Sequence, residues 1–220
     1  CGRRQDRLDE LQKTLSAHTE VHTLQFDVRD KKAVSEQIES LPIAFSSIDI
    51  LINNAGNAHG LDPIQNGNLD DWDAMIDGNI KGLLYVSKAI IPQMIARKSG
   101  HIINVGSTAA KEVYPNGNVY CATKHAVDAL NQGMRMDLNP FGIRVGAIHP
   151  GMVSTEFSNV RFKGDNEKAQ NVYKGFDPLQ AEDIADIIHF VVSRPYHVNI
   201  ADLVVMPTAQ ASSGIVNRSL

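Results

Sequence analysis

Short apolar runs alternate with helical patterns along this chain, and no other feature of the sequence limits the fold as strongly. Buried parallel strands read as nearly continuous apolar runs, whereas amphipathic helices repeat apolar residues every three or four positions. Strands that alternate with helices build an α/β fold around a parallel sheet. The pattern predicts strands at 24–28, 48–52, 101–105, 143–148 and 203–206, and helices at about 6–17, 30–42, 70–97, 117–139 and 181–193.

Several residues mark where the predicted helices begin, end or bend. Asp30 is a suitable N-cap for the second helix, and Gly100 is expected to end the long third helix. Gly78 and Gly82 lie inside that third helix. Because an interior glycine costs a helix roughly 1 kcal/mol relative to alanine, we expect a distortion around Asn79.

Composition excludes several classes of function. A chain of 220 residues suits one domain, and its formal net charge of −4 provides no basic surface for nucleic acid. No apolar run approaches the roughly 18 residues of a membrane-spanning helix, so we expect no membrane partner. The two cysteines, Cys1 and Cys121, make no disulfide framework, which suits a reducing, cytoplasmic compartment.

Small and polar residues follow three of the predicted strands. Asn54 and Gly56 follow the second strand, Ser107 follows the third, and Pro150 and Gly151 follow the fourth. Open parallel sheets bind their ligands beyond the carboxyl ends of the strands. The sequence therefore predicts a ligand site where these residues meet.

Tyr120 and Lys124 lie four residues apart on the fourth helix, so both face the same side of it. A free phenol has a pKa of about 10, and a nearby cation lowers that pKa. Such a pair can move a proton to or from an alcohol oxygen near neutral pH. The alternatives are a tyrosine packed at the start of the helix and a solvated lysine.

The ordered motifs Asn53-Asn54-Ala55-Gly56, Ser107, Tyr120-x-x-x-Lys124 and Pro150-Gly151 resemble the short-chain dehydrogenase/reductase family over essentially the whole chain. The resemblance implies a Rossmann-like, doubly wound parallel sheet. It also implies hydride exchange between a nicotinamide cofactor and an alcohol or carbonyl group. We accordingly expect one domain, residues 1–220, that needs no metal.

The resemblance assigns a role to each catalytic position. Tyr120 is the expected general acid/base, and Lys124 lowers the pKa of its phenol and binds the nicotinamide ribose. Ser107 is expected to bind the substrate oxygen, and Asn79 to hold a water of the proton relay. The alternatives are a turn serine at 107 and an ordinary polar helix residue at 79.

Arg3 and Arg4 follow what resembles the end of a strand, where arginine suits the 2′-phosphate of NADP. Two solvated arginines are the alternative, and local caps explain Asp27 and Thr155 nearly as well. The residues that the resemblance places at the cofactor are Arg3, Arg4, Asp27, Val28, Asn54, Ala55, Gly56, Tyr120, Lys124, Pro150, Gly151, Val153 and Thr155.

The beginning of the chain departs from the family pattern. The glycine-rich turn that holds the cofactor pyrophosphate, with its strand and helix, has no counterpart after Cys1. Such a strand–helix–strand unit takes about 30 residues, and we expect it before Cys1. Without it, the sheet is predicted to have a gap beside the strand that ends at Asn53, where backbone groups lack a partner.

Residues 155–165, 197–200 and 206–207 resemble the NADP-dependent 3-hydroxy acid dehydrogenases of this family. The resemblance implies an oxidoreductase that oxidises serine, L-allo-threonine and related acids, or reduces the corresponding semialdehydes. The polar, irregular stretch 152–178 is expected to form a mobile lid. On it, Arg161 could hold the substrate carboxylate and Lys163 is a weaker candidate, with solvent exposure equally open for both.

Two other functions remain open: a reductase of other ketones or sugars, and a non-catalytic NADP-binding scaffold. A scaffold has no need for Ser107, Tyr120 and Lys124. Apolar residues cover more than one side of the helices that begin near Asp70 and Gly117, which favours packing between subunits. Family members commonly form tetramers through such helices, so the resemblance implies a homotetramer.

Overall fold

The structure, a computed structural model, describes residues 1–219. Four parallel strands form the central sheet, and their spatial order is their chain order. They are β1 (Ile50–Asn53), β2 (Gly100–Val105), β3 (Ile143–Pro150) and β4 (Asp202–Val205). The parallel α/β fold that the alternating pattern predicts is therefore confirmed.

Helices connect these strands and cover both faces of the sheet. None of the helices that the structure describes is long and apolar enough to cross a lipid bilayer. In chain order they are α1 (Gln5–Leu15), α2 (Lys31–Glu39), α3 (Ile43–Ser46), α4 (Leu69–Ile76), α5 (Gly82–Arg97), α6 (Asn118–Leu138), α7 (Phe157–Arg161), α8 (Asn166–Asn171) and α9 (Ala181–Val192).

The hydrophobic core has two halves because successive side chains of a strand point to opposite faces. Ile102 of β2 packs on one face against Ile90 and Met94 of α5. Its neighbour Ile103 packs on the other face against Val191 of α9. Both isoleucines are completely buried, and each such burial stabilises the fold by about 1.5–3 kcal/mol.

The long helix predicted at 70–97 contains a distortion in its middle. Between α4 and α5, residues Asp77–Lys81 form a π-helix that includes Asn79. π-Helical turns inside α-helices are frequent at functional sites. The distortion expected from the two glycines is thus confirmed.

This long helix begins at Leu69, one residue before the prediction, and ends at Arg97 as predicted. Asn68 caps the start, because its side chain accepts a hydrogen bond from the Asp71 N–H at 3.0 Å. At the other end Lys98 adopts a left-handed conformation (φ 51°) and stops the helix. Gly100 begins β2 instead, so its predicted role as a terminator is wrong.

The predicted strand at 24–28 is reduced to an isolated parallel bridge between Gly2 and Gln25. These two segments pair with each other and do not join the central sheet. Within residues 1–219, β1 pairs with β2 alone, so the sheet is open beside β1, where the sequence predicts a gap.

Two stretches that the sequence left irregular contain short regular elements. The expected lid at 152–178 includes α7 and α8, which have five and six residues. Beyond β4 the chain forms a small antiparallel hairpin of β5 (Gln210–Ser212) and β6 (Ile215–Val216) rather than a plain tail. Elements this short span fewer than two helical turns or two strand repeats, so periodicity does not reveal them.

Candidate active site

A cleft of about 1080 Å³ lies where the strands of the sheet end, and the segment 152–178 contributes part of its wall. The sequence-predicted site residues that line it are Arg3, Arg4, Asn54, Gly56, Ser107, Tyr120, Lys124, Pro150, Gly151, Val153, Thr155 and Arg161. The cleft thus brings the two arginines near the start of the chain together with all four motifs.

Four predicted site residues lie outside the lining of this cleft: Asp27, Val28, Ala55 and Asn79. The Asp27 carboxylate accepts hydrogen bonds from the backbone N–H and the guanidinium of Arg29, which fits the alternative of a loop cap. Contacts of Asp27, Val28 and Ala55 with a cofactor stay predictions.

A chain of buried amides fixes the strand ends beneath the cleft. The Asn53 amide donates to the Asn104 side chain at 2.9 Å and to the Ser87 hydroxyl at 3.0 Å. Asn104 in turn donates to the Asn131 side chain at 3.0 Å. Because these four side chains belong to β1, α5, β2 and α6, the elements that carry the site are locked to one another.

Tyr120 lies in the first turn of α6 and is buried against Phe157 of α7, whose ring centre is 5.6 Å away. Burial raises the pKa of the Tyr120 phenol well above its ordinary value, and the Tyr114 hydroxyl adds to this rise. A hydrogen bond with the Ser107 side chain acts in the opposite direction on that pKa. The phenol is therefore protonated at neutral pH unless a nearby positive charge stabilises the phenolate.

Lys124 supplies a cation one helical turn from Tyr120. Its ammonium is buried, donates a hydrogen bond to the Val105 carbonyl at 3.0 Å and lies 6.0 Å from the centre of the Tyr120 ring. Burial lowers the pKa of Lys124 to about 8. Its charged state is thus poised near physiological pH, so its predicted effect on Tyr120 depends on pH.

Asn79 reaches the site through a loop. Its side-chain oxygen accepts the Asn57 N–H at 2.7 Å, and its nitrogen donates to the Asn57 carbonyl and to the Thr123 hydroxyl. A side chain at Gly56 would place its Cβ 3.2 Å from that same oxygen, so glycine lets the loop approach. Asn79 therefore holds the loop after β1, and its predicted role toward a water stays a prediction.

Ser107 is placed by the backbone at the end of β2. Its hydroxyl oxygen accepts the Ala109 N–H at 3.1 Å, so the turn role considered for this serine is present. The hydroxyl still has a hydrogen to donate, and its hydrogen bond with the Tyr120 phenol keeps the two oxygens side by side. From below, the completely buried His149 places Nδ1 3.3 Å from the Ser107 carbonyl oxygen.

Arg161 packs over aromatic rings rather than extending into solvent. Its guanidinium carbon lies 5.1 Å from the centre of the Tyr120 ring and 5.9 Å from that of Phe157. One guanidinium nitrogen donates to the Tyr114 hydroxyl at 2.6 Å. Tyr114 belongs to no motif that the sequence offered, and it lines the cleft beside Arg161 and Tyr120.

Ion pairs tie the segment 152–178 to the rest of the protein at both sides of the cleft. Lys163 forms an ion pair with Asp71 at 2.9 Å, so the weaker carboxylate candidate is already engaged outside the cleft. On the opposite side Glu156 pairs with Arg4 at 2.6 Å and with Arg7 at 3.0 Å. Hydrogen bonding to Arg4 lowers the pKa of the Glu156 carboxyl, which stays ionised at neutral pH.

Comparison with known proteins points to one family. A family model described as short chain dehydrogenase matches residues 1–166. NADP-dependent 3-hydroxy acid dehydrogenase YdfG of Escherichia coli (strain K12) is 46% identical over 97% of this chain and 86% of its own length. Sulfoacetaldehyde reductase 2 of Chromohalobacter salexigens is also 46% identical, over 96% of this chain and 84% of its own length.

Solved structures agree with this similarity. The closed form of serine dehydrogenase complexed with NADP⁺ has a TM-score of 0.93 and 45% sequence identity, over 98% of this chain and 87% of its own. Serine dehydrogenase from Escherichia coli has a TM-score of 0.81 and 40% identity, over 96% and 86% of the two chains. This chain is therefore similar in fold and in sequence to both serine dehydrogenase structures over nearly its whole length.

Proposed function

Because this chain belongs to the short chain dehydrogenase family, we propose that it is an oxidoreductase that transfers a hydride between NADP and a 3-hydroxy acid. Serine and L-allo-threonine are the expected substrates, and the corresponding 3-oxo acids, a semialdehyde for serine and a ketone for L-allo-threonine, are reduced in the reverse direction. The observation that carries the proposal is the stacking of Arg161 on Tyr120. It places a cation for a carboxylate beside the group that handles the hydroxyl proton.

The residues of the cleft fit NADP. Lys124 has three ammonium hydrogens, and within residues 1–219 it makes one hydrogen bond, to the Val105 carbonyl. Two buried hydrogens are left for the ribose hydroxyls. Elsewhere in the cleft, we expect Arg3 and Arg4 to bind the 2′-phosphate, Arg4 with the guanidinium hydrogens that its ion pair with Glu156 does not use. When bound, NADP supplies the acceptor or donor of the hydride.

Three side chains, those of Tyr120, Ser107 and Lys124, take part in the proton transfer. In the oxidation of an alcohol, Tyr120 takes the hydroxyl proton while Ser107 donates a hydrogen bond to the same oxygen. In the reduction of a carbonyl, Tyr120 returns that proton. The positive charge of Arg161 opposes the effect of burial on the Tyr120 pKa, because a cation favours the phenolate. We expect the ammonium of Lys124, 6.0 Å from the ring centre, to act in the same direction.

Arg161 supports an anionic substrate. Its Nε is buried and has no hydrogen-bond partner within the part of the chain that the structure describes. An unpaired buried donor costs about 1–3 kcal/mol, and a carboxylate that accepts from it removes this cost. Tyr114 meanwhile holds the far side of the guanidinium. The site therefore favours an alcohol with an acidic group over an uncharged sugar or ketone.

A sulfonate is the second candidate for the acidic group. The 46% identity to sulfoacetaldehyde reductase 2 is as high as that to the 3-hydroxy acid dehydrogenase. A sulfonate presents oxygens that accept the same hydrogen bonds from Arg161. The second candidate function is accordingly the NADPH-dependent reduction of sulfoacetaldehyde.

Three further features belong to this proposal. We infer a single catalytic domain whose segment 152–178 is a lid that moves when ligands enter. The exposed apolar side chains Leu84 on α5 and Met136 on α6 support subunit packing in a homotetramer. Two free cysteines without a disulfide within the described residues suit a cytoplasmic location.

The proposal is tested with a substrate panel on the full-length protein. Absorbance of NADPH is followed with L-serine, L-allo-threonine and 3-hydroxypropionate in the oxidative direction, and with sulfoacetaldehyde in the reductive direction. A neutral sugar alcohol serves as the uncharged control. We expect turnover of the hydroxy acids and none of the uncharged control, whereas preference for the neutral alcohol contradicts the proposal.

Two variants separate catalysis from binding. Tyr120→Phe is expected to lower kcat at least a thousandfold and to leave NADP⁺ affinity nearly unchanged, because only the proton-transferring oxygen is lost. Arg161→Ala is expected to raise KM for the hydroxy acid about a hundredfold, since a charged hydrogen bond contributes roughly 3 kcal/mol. Lys168→Ala, which removes an exposed charge from the same lid, is the matched control. An unchanged KM in Arg161→Ala refutes its role.

A further inference from the structure

We propose that Gln210 is a positioning residue for the nicotinamide wall, the turn of Pro150, Gly151 and Met152 at the end of β3. This inference rests on the function proposed above, because it assigns the nicotinamide end of NADP to this part of the cleft. Gln210 and all three residues of the turn line that cleft. Gln210 lies in the C-terminal hairpin, 58 residues after Met152.

Both halves of the Gln210 amide are used. The side chain is 5% exposed, and its oxygen accepts the backbone N–H of Met152 at 2.9 Å. Its nitrogen donates to the Ser212 carbonyl at 3.1 Å. Because one partner is a donor and the other an acceptor, the amide has a single satisfactory orientation. Gln210 thus presents a fixed acceptor to the wall.

The pairing of β3 with β4 ends at this turn. The Met152 carbonyl accepts the Leu179 N–H at 3.0 Å, whereas the Met152 N–H depends on the side chain of Gln210. Pro150 is the last residue of β3 in register with β4, and the Gly151 N–H still bonds to the Val205 carbonyl at 2.7 Å. One residue later, the Met152 N–H is satisfied by a side chain instead of a strand. Gln210 therefore satisfies the first backbone donor after the paired part of β3 that no strand reaches.

The glycine of the turn provides room for the amide. A Cβ added at Gly151 would collide with the side-chain oxygen of Gln210. The close approach of the turn to Gln210 therefore requires glycine at this position, independently of any bound ligand. Gly151 and Gln210 form one packed unit in the wall of the cleft.

Two further hydrogen bonds hold the hairpin that carries Gln210, one within the hairpin and one to a distant segment. The Asn217 N–H bonds to the Ala209 carbonyl at 2.8 Å and closes the hairpin. The Ser213 N–H bonds to the Glu112 carboxylate at 2.9 Å, which ties the hairpin to the segment after Ser107. The acceptor offered to Met152 is consequently held by a rigid support rather than by a free C-terminal tail.

The test uses two ligands that differ only at the nicotinamide end. Isothermal titration calorimetry measures the Kd of NADP⁺ and of 2′,5′-ADP, which lacks the nicotinamide and its ribose, in the full-length protein. Gln210→Leu removes the acceptor at similar size, whereas Gln210→Glu keeps an acceptor for the Met152 N–H. Gln65→Leu is the control for the loss of an amide, because position 65 is exposed and lies far from Gln210 in the sequence.

We expect Gln210→Leu to weaken NADP⁺ binding at least tenfold and to leave the Kd of 2′,5′-ADP within about twofold. Gln210→Glu keeps the acceptor for Met152 but loses the donor to the Ser212 carbonyl, so we expect it to bind NADP⁺ more tightly than Gln210→Leu and more weakly than the wild type. Equal weakening for both ligands, or no weakening for either, overturns the inference. The measurement needs no hydroxy acid, so a protein that binds NADP⁺ but oxidises no hydroxy acid refutes the proposed substrate and not the role of Gln210.

Discussion

Lys124→Met is expected to stabilise the cofactor-free protein at neutral pH while it abolishes activity. The structure gives the magnitude. Lys124 has an ordinary pKa of 10.5 that burial lowers to about 8, which corresponds to a penalty of about 3 kcal/mol for keeping the ammonium charged in the folded state. Methionine has a similar length and no charge, so it removes that penalty. It also leaves the Val105 carbonyl unpaired, at a cost of about 1 kcal/mol.

The sign of the pH dependence follows from the protons bound in each state. Between pH 8 and 10.5 the unfolded chain holds a proton on Lys124 that the folded protein releases, so wild-type stability rises with pH across this window. At pH 7 the full penalty of about 3 kcal/mol applies, and at pH 9.5 about 1.4 kcal/mol remains. The variant is therefore more stable by about 2 kcal/mol at pH 7 and about equal to the wild type at pH 9.5.

Urea unfolding of both proteins at the two pH values, without NADP, measures this difference. Other titrating groups are common to both proteins and cancel in the comparison. Lys88→Met, at an exposed position on α5, is the matched control and should show the same small difference at both pH values. A Lys124→Met difference that stays constant between pH 7 and pH 9.5 refutes the reasoning, because it shows that the buried lysine carries no charge penalty.

Two other predictions concern the cofactor end and the core. Replacing Arg3 and Arg4 together with alanine should raise the Kd of NADP⁺ at least tenfold and leave that of NAD⁺ within about twofold, as measured by calorimetry, because only NADP carries the 2′-phosphate. Equal losses for the two cofactors contradict this assignment. Ile102→Ala should lower the free energy of unfolding by about 2–5 kcal/mol in urea titrations, since the side chain is completely buried between β2 and α5. Ile43→Ala, at a 94% exposed position, is the control, and similar losses for both variants contradict the placement of the core.

Local patterns predicted the strand ends well because each end is determined by its own residues. The apolar run before Asn53 and the glycine at 56 predict a strand and a turn without knowledge of the rest of the chain. Parallel strands then bring their carboxyl ends to one edge, so Ser107 and Pro150 are expected beside this turn. The cleft that these residues line is the direct consequence.

Contacts between distant segments were not predictable in the same way. Tyr114 lines the cleft and accepts a hydrogen bond from Arg161 of the segment 152–178, and the two residues are 47 positions apart. Gln210 and Met152 are 58 positions apart. No periodicity or motif joins such pairs, because their contact depends on how complete elements pack. The contact of Arg161 with Tyr114 and that of Gln210 with Met152 therefore became known only from the structure.

At Asn79 the sequence predicted the local distortion of the helix but not the distant contact that the distortion allows. Two glycines at 78 and 82 predicted a distortion, and the structure has a π-helix at that place. What the distortion accomplishes was not visible in the sequence. A side chain at Gly78 would meet the Asn57 amide at 2.7 Å, and one at Gly82 would meet Val28 at the same distance. The glycines therefore serve close packing as well as bending, and the extra residue in the turn aims Asn79 at the loop after β1. In this helix the low helix propensity of the two glycines permits the distortion, and the distortion lets the buried amide of Asn79 reach the loop after β1.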